Sequence, residues 1–337
     1  MNGQSYSVAL LGAGSEVGRE LAAVLRERAF PVEALRLYDD APDDQVFEDD
    51  ESGEEIFPLD DIDLTGVDVV FVCDHPARAA EWAARATPSG ALVLDLTQAL
   101  AESGQAPLVI PEVNPGAIRA GLEHGVFATP VASATALAVA LNPIHSEAEL
   151  KRVVATSFEP VSIAGRAGID ELSEQSRHLL SGVTPESRIF PQRIAFNHIP
   201  QVGDFVSGGR TRGEWLIESQ LRSVLELPDL PIAVTSVVTP TFFGQACAVH
   251  VETERALDAV AAAALLRQAP GLLLSEELPG YPTLADVIGS EATHVGRVRD
   301  DLTVPYGLAL WVVIDGLRKG AAVNAVQIAE RALRARA

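Results

Sequence analysis

The chain has 337 residues, 47% hydrophobic and 21% charged, with a net charge of -22, which suits a two-domain globular protein with sizeable cores. That acidic balance excludes nucleic acid and anionic membrane surfaces as partners, since both call for clustered Lys and Arg. No apolar run approaches the roughly eighteen residues of a membrane span, and no signal-peptide order opens the chain, so the expected location is cytoplasmic. The two cysteines, Cys73 and Cys247, have neither disulfide-framework nor metal-ligand spacing, so no metal is expected.

In chain order, Ser5 to Ala13 reads as an apolar strand that enters Gly12-Ala13-Gly14-Ser15-Glu16-Val17-Gly18 and then a helix with Val17, Leu21 and Leu25 on one face. Strand, glycine turn and helix open a dinucleotide-binding fold. Gly12 would allow the tight turn, the small residues after it would admit a pyrophosphate, and Gly18 would let the helix approach the strand. The alternative is a packing turn that binds nothing. A second strand, Ala34 to Tyr38, ends at Asp39-Asp40. An acid there bonds a ribose 2′-hydroxyl and repels a 2′-phosphate, which favours NAD over NADP. The acidic run continues through Asp43, Asp44, Glu48, Asp49, Asp50, Glu51, Glu54 and Glu55, and it reads equally as a solvated loop.

Apolar strands are predicted at Val67 to Cys73, Ala91 to Asp95 and Leu108 to Ile110, with an Ala-rich helix through Trp82. Near-continuous apolar strands indicate a parallel sheet covered on both faces. Cys73 and His75, two apart at a strand end, read as a buried thiol beside a loop histidine and not as a nucleophile and base. Phe127 to His145, FATPVASATALAVALNPIH, reads as a strand end, a tight turn and an apolar helix that stops near Pro143-Ile144-His145. Unpaired N–H groups at such a helix start would stabilise a thiolate or oxyanion, and the residues there are Ala132, Ser133, Ala134 and Thr135. Beyond it, antiparallel-looking strands alternate with single helices, including Arg152 to Gly165, Thr211 to Leu227, Ala256 to Gln268 and Leu308 to Ile314. This is the mark of an α+β domain.

Several segments resemble the aspartate-semialdehyde dehydrogenase family over essentially the whole chain: Pro130 to His145, Pro111-Glu112-Val113-Asn114-Pro115, Phe196 to Gly203, Ser236 to Val249 and Asp315 to Glu330. The family's nucleophile segment reads Asn-Pro-Asn-Cys-Ser-Thr, and Ala132 stands where it has cysteine. By the same resemblance Glu159 replaces a glutamine that orients the thiol intermediate, and Ile163 replaces a turn glycine. Val238 replaces the arginine that binds the substrate carboxylate, Gln245 the acid/base histidine, and Leu216 a lysine of the anion site. Glu214 matches a carboxylate for the substrate ammonium group, while Asn324 and Gln327 match residues beside the nicotinamide. In the glycine turn the family pattern is GxxGxxG, whose middle glycine is Ser15 here.

The expected fold is therefore α/β. A Rossmann-like NAD(P)-binding domain spans 1–131, an α+β substrate-like and dimerisation domain spans 132–314, and a C-terminal helix over 315–337 returns to the first domain. Expected cofactor contacts are Gly12, Ala13, Gly14, Ser15, Glu16, Val17, Gly18, Asp39, Asn324 and Gln327. Degenerate catalytic positions are Ala132, Glu159, Val238 and Gln245. The resemblance lies closest to the catalytically degenerate Usg-type paralogues. It implies a homodimer that lacks semialdehyde dehydrogenase activity, with an active homologue as a further candidate partner; NAD in preference to NADP is expected from Asp39 and Asp40. The alternative is an active NAD-dependent oxidoreductase with altered chemistry, using Ser133 or Glu159.

Overall fold

The computed structural model describes residues 5–40, 55–276 and 280–336. The acidic positions Asp43, Asp44, Glu48, Asp49, Asp50, Glu51 and Glu54, and Pro279, lie outside them. The chain divides into two compact units, Met1–Pro130 with Ala321–Ala337, and Val131–Gly320. The stretch 315–320 thus belongs with the second unit, where the sequence pattern joins it to the last helix.

The first unit is a six-stranded sheet in the order β3-β2-β1-β4-β5-β6. Its strands are β1 (Tyr6–Leu11), β2 (Val32–Asp39), β3 (Ile56–Pro58), β4 (Val69–Val72), β5 (Leu92–Asp95) and β6 (Val126–Ala128), and every pairing is parallel. Helices α1 (Glu16–Glu27), α2 (Ala79–Ala86), α3 (Ala99–Glu102) and α4 (Ala117–His124) form the connections. The core is double. Leu21, Leu25 and Ile118 pack on one face with Ile328 and Leu333 of the C-terminal helix, whereas Trp82 and Leu100 pack on the other. Both faces are covered, so strands such as Val69–Val72 are buried at every residue. Leu108 to Ile110, expected as a strand, makes only one isolated bridge, Leu108 to Ala128. Asn114 accounts for the irregular path: its Oδ1 accepts the Ile110 N–H at 2.8 Å and its Nδ2 donates to the Leu108 carbonyl at 2.9 Å. A side chain thereby takes over bonds that a ladder would make.

The second unit opens with α5 (Ala132–Ala148) and contains α6 (Gly165–Leu180), α7 (Arg212–Val224), α8 (Ala259–Gln268) and α9 (Leu284–Val287). Its strands are β7 (Leu150–Glu159), β8 (Ile232–Val238), β9 (Gln245–Thr253), β10 (Leu272–Leu274), β11 (Thr293–Asp301) and β12 (Gly307–Ile314), in the order β10-β11-β12-β9-β7-β8. The sheet is mixed where the sequence suggests antiparallel: β7 with β8 and β10 with β11 are parallel. Helix α5 is buried nearly all round from Ser133 to Leu141, the signature of a core helix. It does not stop at Pro143 but continues to Ala148 with the proline inside. The missing N–H forfeits one helical bond, and burial of the apolar flank, Ile144 and Ala148 included, offsets that loss.

After a π-helical turn at Arg318–Val323, α10 (Asn324–Arg336) completes the first unit. Among the described residues no helix is long and apolar enough to cross a membrane.

Candidate functional site

In the first unit the chain leaves β1 through Gly12 at φ 84°, a backbone region open to glycine. A Cβ at Gly12 would come within 2.6 Å of the Asp74 Cβ, and one at Gly18 within 2.3 Å of the Gly12 carbonyl oxygen. Both glycines are therefore required by sterics. Gly12 and Ala13 donate their N–H groups to the Tyr38 carbonyl at 2.9 and 3.0 Å, which ties the turn to the end of β2. Ser15, with extended backbone at φ -69°, ψ 159°, is the N-cap of α1. Its Oγ donates to the Gly12 carbonyl at 2.7 Å and accepts the Gly18 N–H at 3.0 Å. The serine closes the turn with no backbone strain, and Glu16 and Val17 take the first two helical positions, whose N–H groups have no intrahelical acceptor.

Asp39, the last residue of β2, reaches back over this turn, its Oδ2 accepting the Gly14 N–H at 2.6 Å. Sequence reasoning missed the company it keeps. His75, left-handed at φ 60°, places Nδ1 3.2 Å from Asp40 Oδ2 and Nε2 4.0 Å from Asp39 Oδ1. Its ring stands edge-on to Trp82 at 6.2 Å, and the Arg78 guanidinium lies 4.9 Å from the same indole. The signal was available only through topology: β2 and β4 both pair with β1 in parallel, so the residues after β4 emerge beside the end of β2. Ala13 shares a core with Ala322 and Val323. The next residue, Asn324, is fully buried, with Nδ2 donating to the Val109 carbonyl at 2.9 Å and Oδ1 without a partner among the described residues. Gln327 lies one turn further along, partly buried. A glycine turn leading into the start of α1, an acid at its rim and an orphaned buried acceptor fit a dinucleotide with a carboxamide to donate.

In the second unit, Ala132 is the first helical residue of α5, after an extended Val131 that offers no side-chain cap. Val131 donates its N–H to Gln220 Oε1 at 2.7 Å. The Ala132 methyl faces two glycines: a Cβ on Gly320 would lie 2.5 Å from it, and one on Gly316 would lie 1.8 Å from Gln245 Oε1. Behind it, Ser133 Oγ donates to Glu159 Oε1 at 2.6 Å and Gln245 Nε2 donates to Glu159 Oε2 at 2.9 Å. All three side chains are buried, Glu159 being 4% exposed. Sheet register assembles them. Phe158 pairs with Ala246, setting the end of β7 against the start of β9, and Glu159 pairs with Val238 across β7 and β8. The structure thus brings positions 159, 238 and 245 to one end of three adjacent strands.

Both cysteines are free and buried. Burial, and secondarily the Glu159 charge, push the Cys247 thiol far above its ordinary pKa; burial, then Asp74, Asp39 and Asp95, do the same to Cys73. Glu214 is buried and bonded to backbone N–H groups. It forms a capping box with Thr211, its Oε2 accepting the Thr211 N–H at 2.7 Å, and its Oε1 accepts the Ser236 N–H at 3.1 Å. One turn on, Glu218, which the sequence did not single out, accepts the Val234 N–H at 3.2 Å and the Arg210 guanidinium at 3.0 Å. Two carboxylates on α7 therefore satisfy alternate N–H groups of the edge strand β8.

Residues 7–121 match the family model for the semialdehyde dehydrogenase NAD binding domain, and residues 141–319 match that for the semialdehyde dehydrogenase dimerisation domain. The chain belongs to the aspartate-semialdehyde dehydrogenase family. Aspartate-semialdehyde dehydrogenase 2 of Vibrio cholerae is 36% identical over 98% of both chains, and the aspartate-semialdehyde dehydrogenase of Aquifex aeolicus is 34% identical over 96% of this chain and 97% of its own. Among solved structures, aspartate semialdehyde dehydrogenase II from Vibrio cholerae superposes with a TM-score of 0.94 at 37% identity, covering 98% of this chain and 99% of its own. A probable aspartate-semialdehyde dehydrogenase from Pseudomonas aeruginosa gives 0.92 at 31% identity, covering 99% and 100%. Family membership extends over both units, and the first carries the family's NAD(P)-binding domain.

Proposed function

We propose that this member of the family binds a nicotinamide dinucleotide, does not run the family's covalent semialdehyde oxidation, and works as a cytoplasmic homodimer, like the degenerate paralogues its sequence resembles. The observation that carries the reading is the methyl group of Ala132 at the start of α5, together with the burial of both thiols. A thiohemiacetal needs a thiolate, and the chain supplies none near neutral pH. Gln245 has no proton to exchange in that range, and its amide is held by Glu159. Val238 offers a carboxylate no donor.

The dinucleotide would be held by the Gly12 to Gly18 turn, with Asp39 toward the adenosine ribose and Asn324 toward the carboxamide. When bound, the nicotinamide supplies a hydride acceptor. Asp39 and Asp40 support NAD over NADP, because a 2′-phosphate would meet two carboxylates.

The test is formation of reduced cofactor from aspartate semialdehyde, phosphate and NAD or NADP. Wild type and Ala132→Cys alone are expected to be silent, and Ala132→Cys with Val238→Arg and Gln245→His to gain turnover. Wild-type turnover abolished by Glu159→Leu would overturn the reading.

A second reading, hydride transfer without a covalent intermediate, has the Ser133 to Glu159 hydrogen bond in its favour, which gives the hydroxyl a carboxylate partner. A screen of aldehydes and oxo compounds with NAD that yields no reduced cofactor removes it. Pairing with an active homologue through the dimerisation domain is tested by co-purification; repeated failure removes that option.

A further inference from the structure

A cavity of 580 Å³ opens in the second unit between α7, the end of β8 and the segment 188–204. That volume lies within the ~300–1,000 Å³ of small-molecule sites. Val238, Leu216 and Phe190 line it together with Pro191, Val202 and Ile163. None of these six side chains carries a polar atom.

The polar lining is already committed. Arg188 directs Nη1 to Glu174 at 3.4 Å and Nη2 to Glu186 at 3.2 Å, and Arg212 is engaged as well. Gln201 Nε2 donates to the Gly203 carbonyl at 3.2 Å. The remaining charged group, Asp204, is anionic, on a chain whose net charge is -22. An anion entering here would compete with the carboxylates that Arg188 already meets, on a strongly acidic chain. The face made by these six side chains selects by desolvation, so an uncharged body is favoured there over a charged one.

We infer that this cavity binds an uncharged small molecule with a branched aliphatic or aromatic body and rejects amino-acid and phosphate anions. The inference rests on the proposed loss of the carboxylate clamp at Val238. It concerns binding, however, and is read without turnover. Val238 lies in register with Glu159, so the bound molecule would sit one strand from the buried Glu159 and Gln245 pair.

Saturation-transfer NMR of the full chain with indole and with 4-methylpentan-2-one, beside aspartate and inorganic phosphate, tests it. Both uncharged probes are expected to bind and to compete, and both anions to be silent. Leu216→Lys, on a partly exposed helix position, is expected to weaken probe binding at least about tenfold, since an ammonium group then shares the apolar lining. Leu216→Phe, which fills the cavity without adding charge, is expected to weaken binding by a similar factor and covers the case of a misfolded lysine variant. Silence of both uncharged probes, binding of aspartate or phosphate, or equal probe binding by wild type and both variants overturns the inference. Failure of the proposed function would appear instead as reduced cofactor formed from aspartate semialdehyde, a signal that this experiment does not share.

Discussion

The chain turns into a functionally placed helix twice, at α1 in the first unit and at α5 in the second, and these helix starts have kept different things. At α1 four residues each have a defined structural job. Gly12 takes a positive φ, Gly18 admits the carbonyl beneath it, Ser15 caps the helix and Asp39 closes over Gly14. At α5 the backbone is equally well placed, with an extended residue leading into a buried helix and glycines at 316 and 320 crowding its first residue. The residues that surround this helix start are Ala132, Gln245 and the buried carboxylate of Glu159, and on the proposed reading they do not support covalent chemistry. The comparison teaches that packing alone can hold a backbone in place at a helix start, whatever the side chains there do.

The sharpest way to break that comparison is to find a usable thiol. Raised thiol pKa values keep both cysteines protonated as pH rises through 8 and 9, where an ordinary free thiol (pKa ~8.5) ionises. Alkylation by iodoacetamide should therefore be much slower in native than in unfolded protein, and in the native state it should still climb with each pH unit where the unfolded thiols approach a plateau. Rapid labelling of Cys247 in the native state would restore a nucleophile to the second unit.

Gly18→Ala presses on the first unit. A Cβ at 2.3 Å from the Gly12 carbonyl oxygen forces α1 off β1, with an expected cost of about 1–3 kcal/mol in denaturant unfolding and loss of dinucleotide binding. An unchanged midpoint would mean that the turn is not under packing control. Ser133→Ala removes one of the two donors to buried Glu159 and should cost about 1–3 kcal/mol. In Glu159→Gln the loss should be smaller, because an amide tolerates the missing bond better than a carboxylate does. The reverse order would show that the carboxylate has another partner. Asp39→Asn is the mildest change. It should leave the unfolding midpoint within about 0.5 kcal/mol of wild type and weaken NAD about tenfold, which calorimetry checks.

Much of this was legible in the sequence, for local reasons. A glycine turn after an apolar strand, an acid at the next strand end and buried parallel strands each carry their signal within a few residues, and the fold followed from them. Long-range partnerships were not legible. Ser133 and Glu159 are 26 positions apart and meet only because the start of α5 packs against the end of β7, and the Glu214 and Glu218 bonds to β8 depend on α7 lying along an edge strand. Pro143 misled because its local cost is visible in sequence and the burial that offsets it is not. Leu108 to Ile110 misled because Asn114 supplies the bonds that a strand would have made.

The central claim, that the nucleotide half of this fold is intact while the covalent half is not, is tested most directly by calorimetric titration of the folded protein with NAD and, separately, NADP. The account predicts saturable binding of NAD and at least about tenfold weaker binding of NADP, as expected when an acid bonds the ribose. Heat from neither, or tighter binding of NADP, would contradict it.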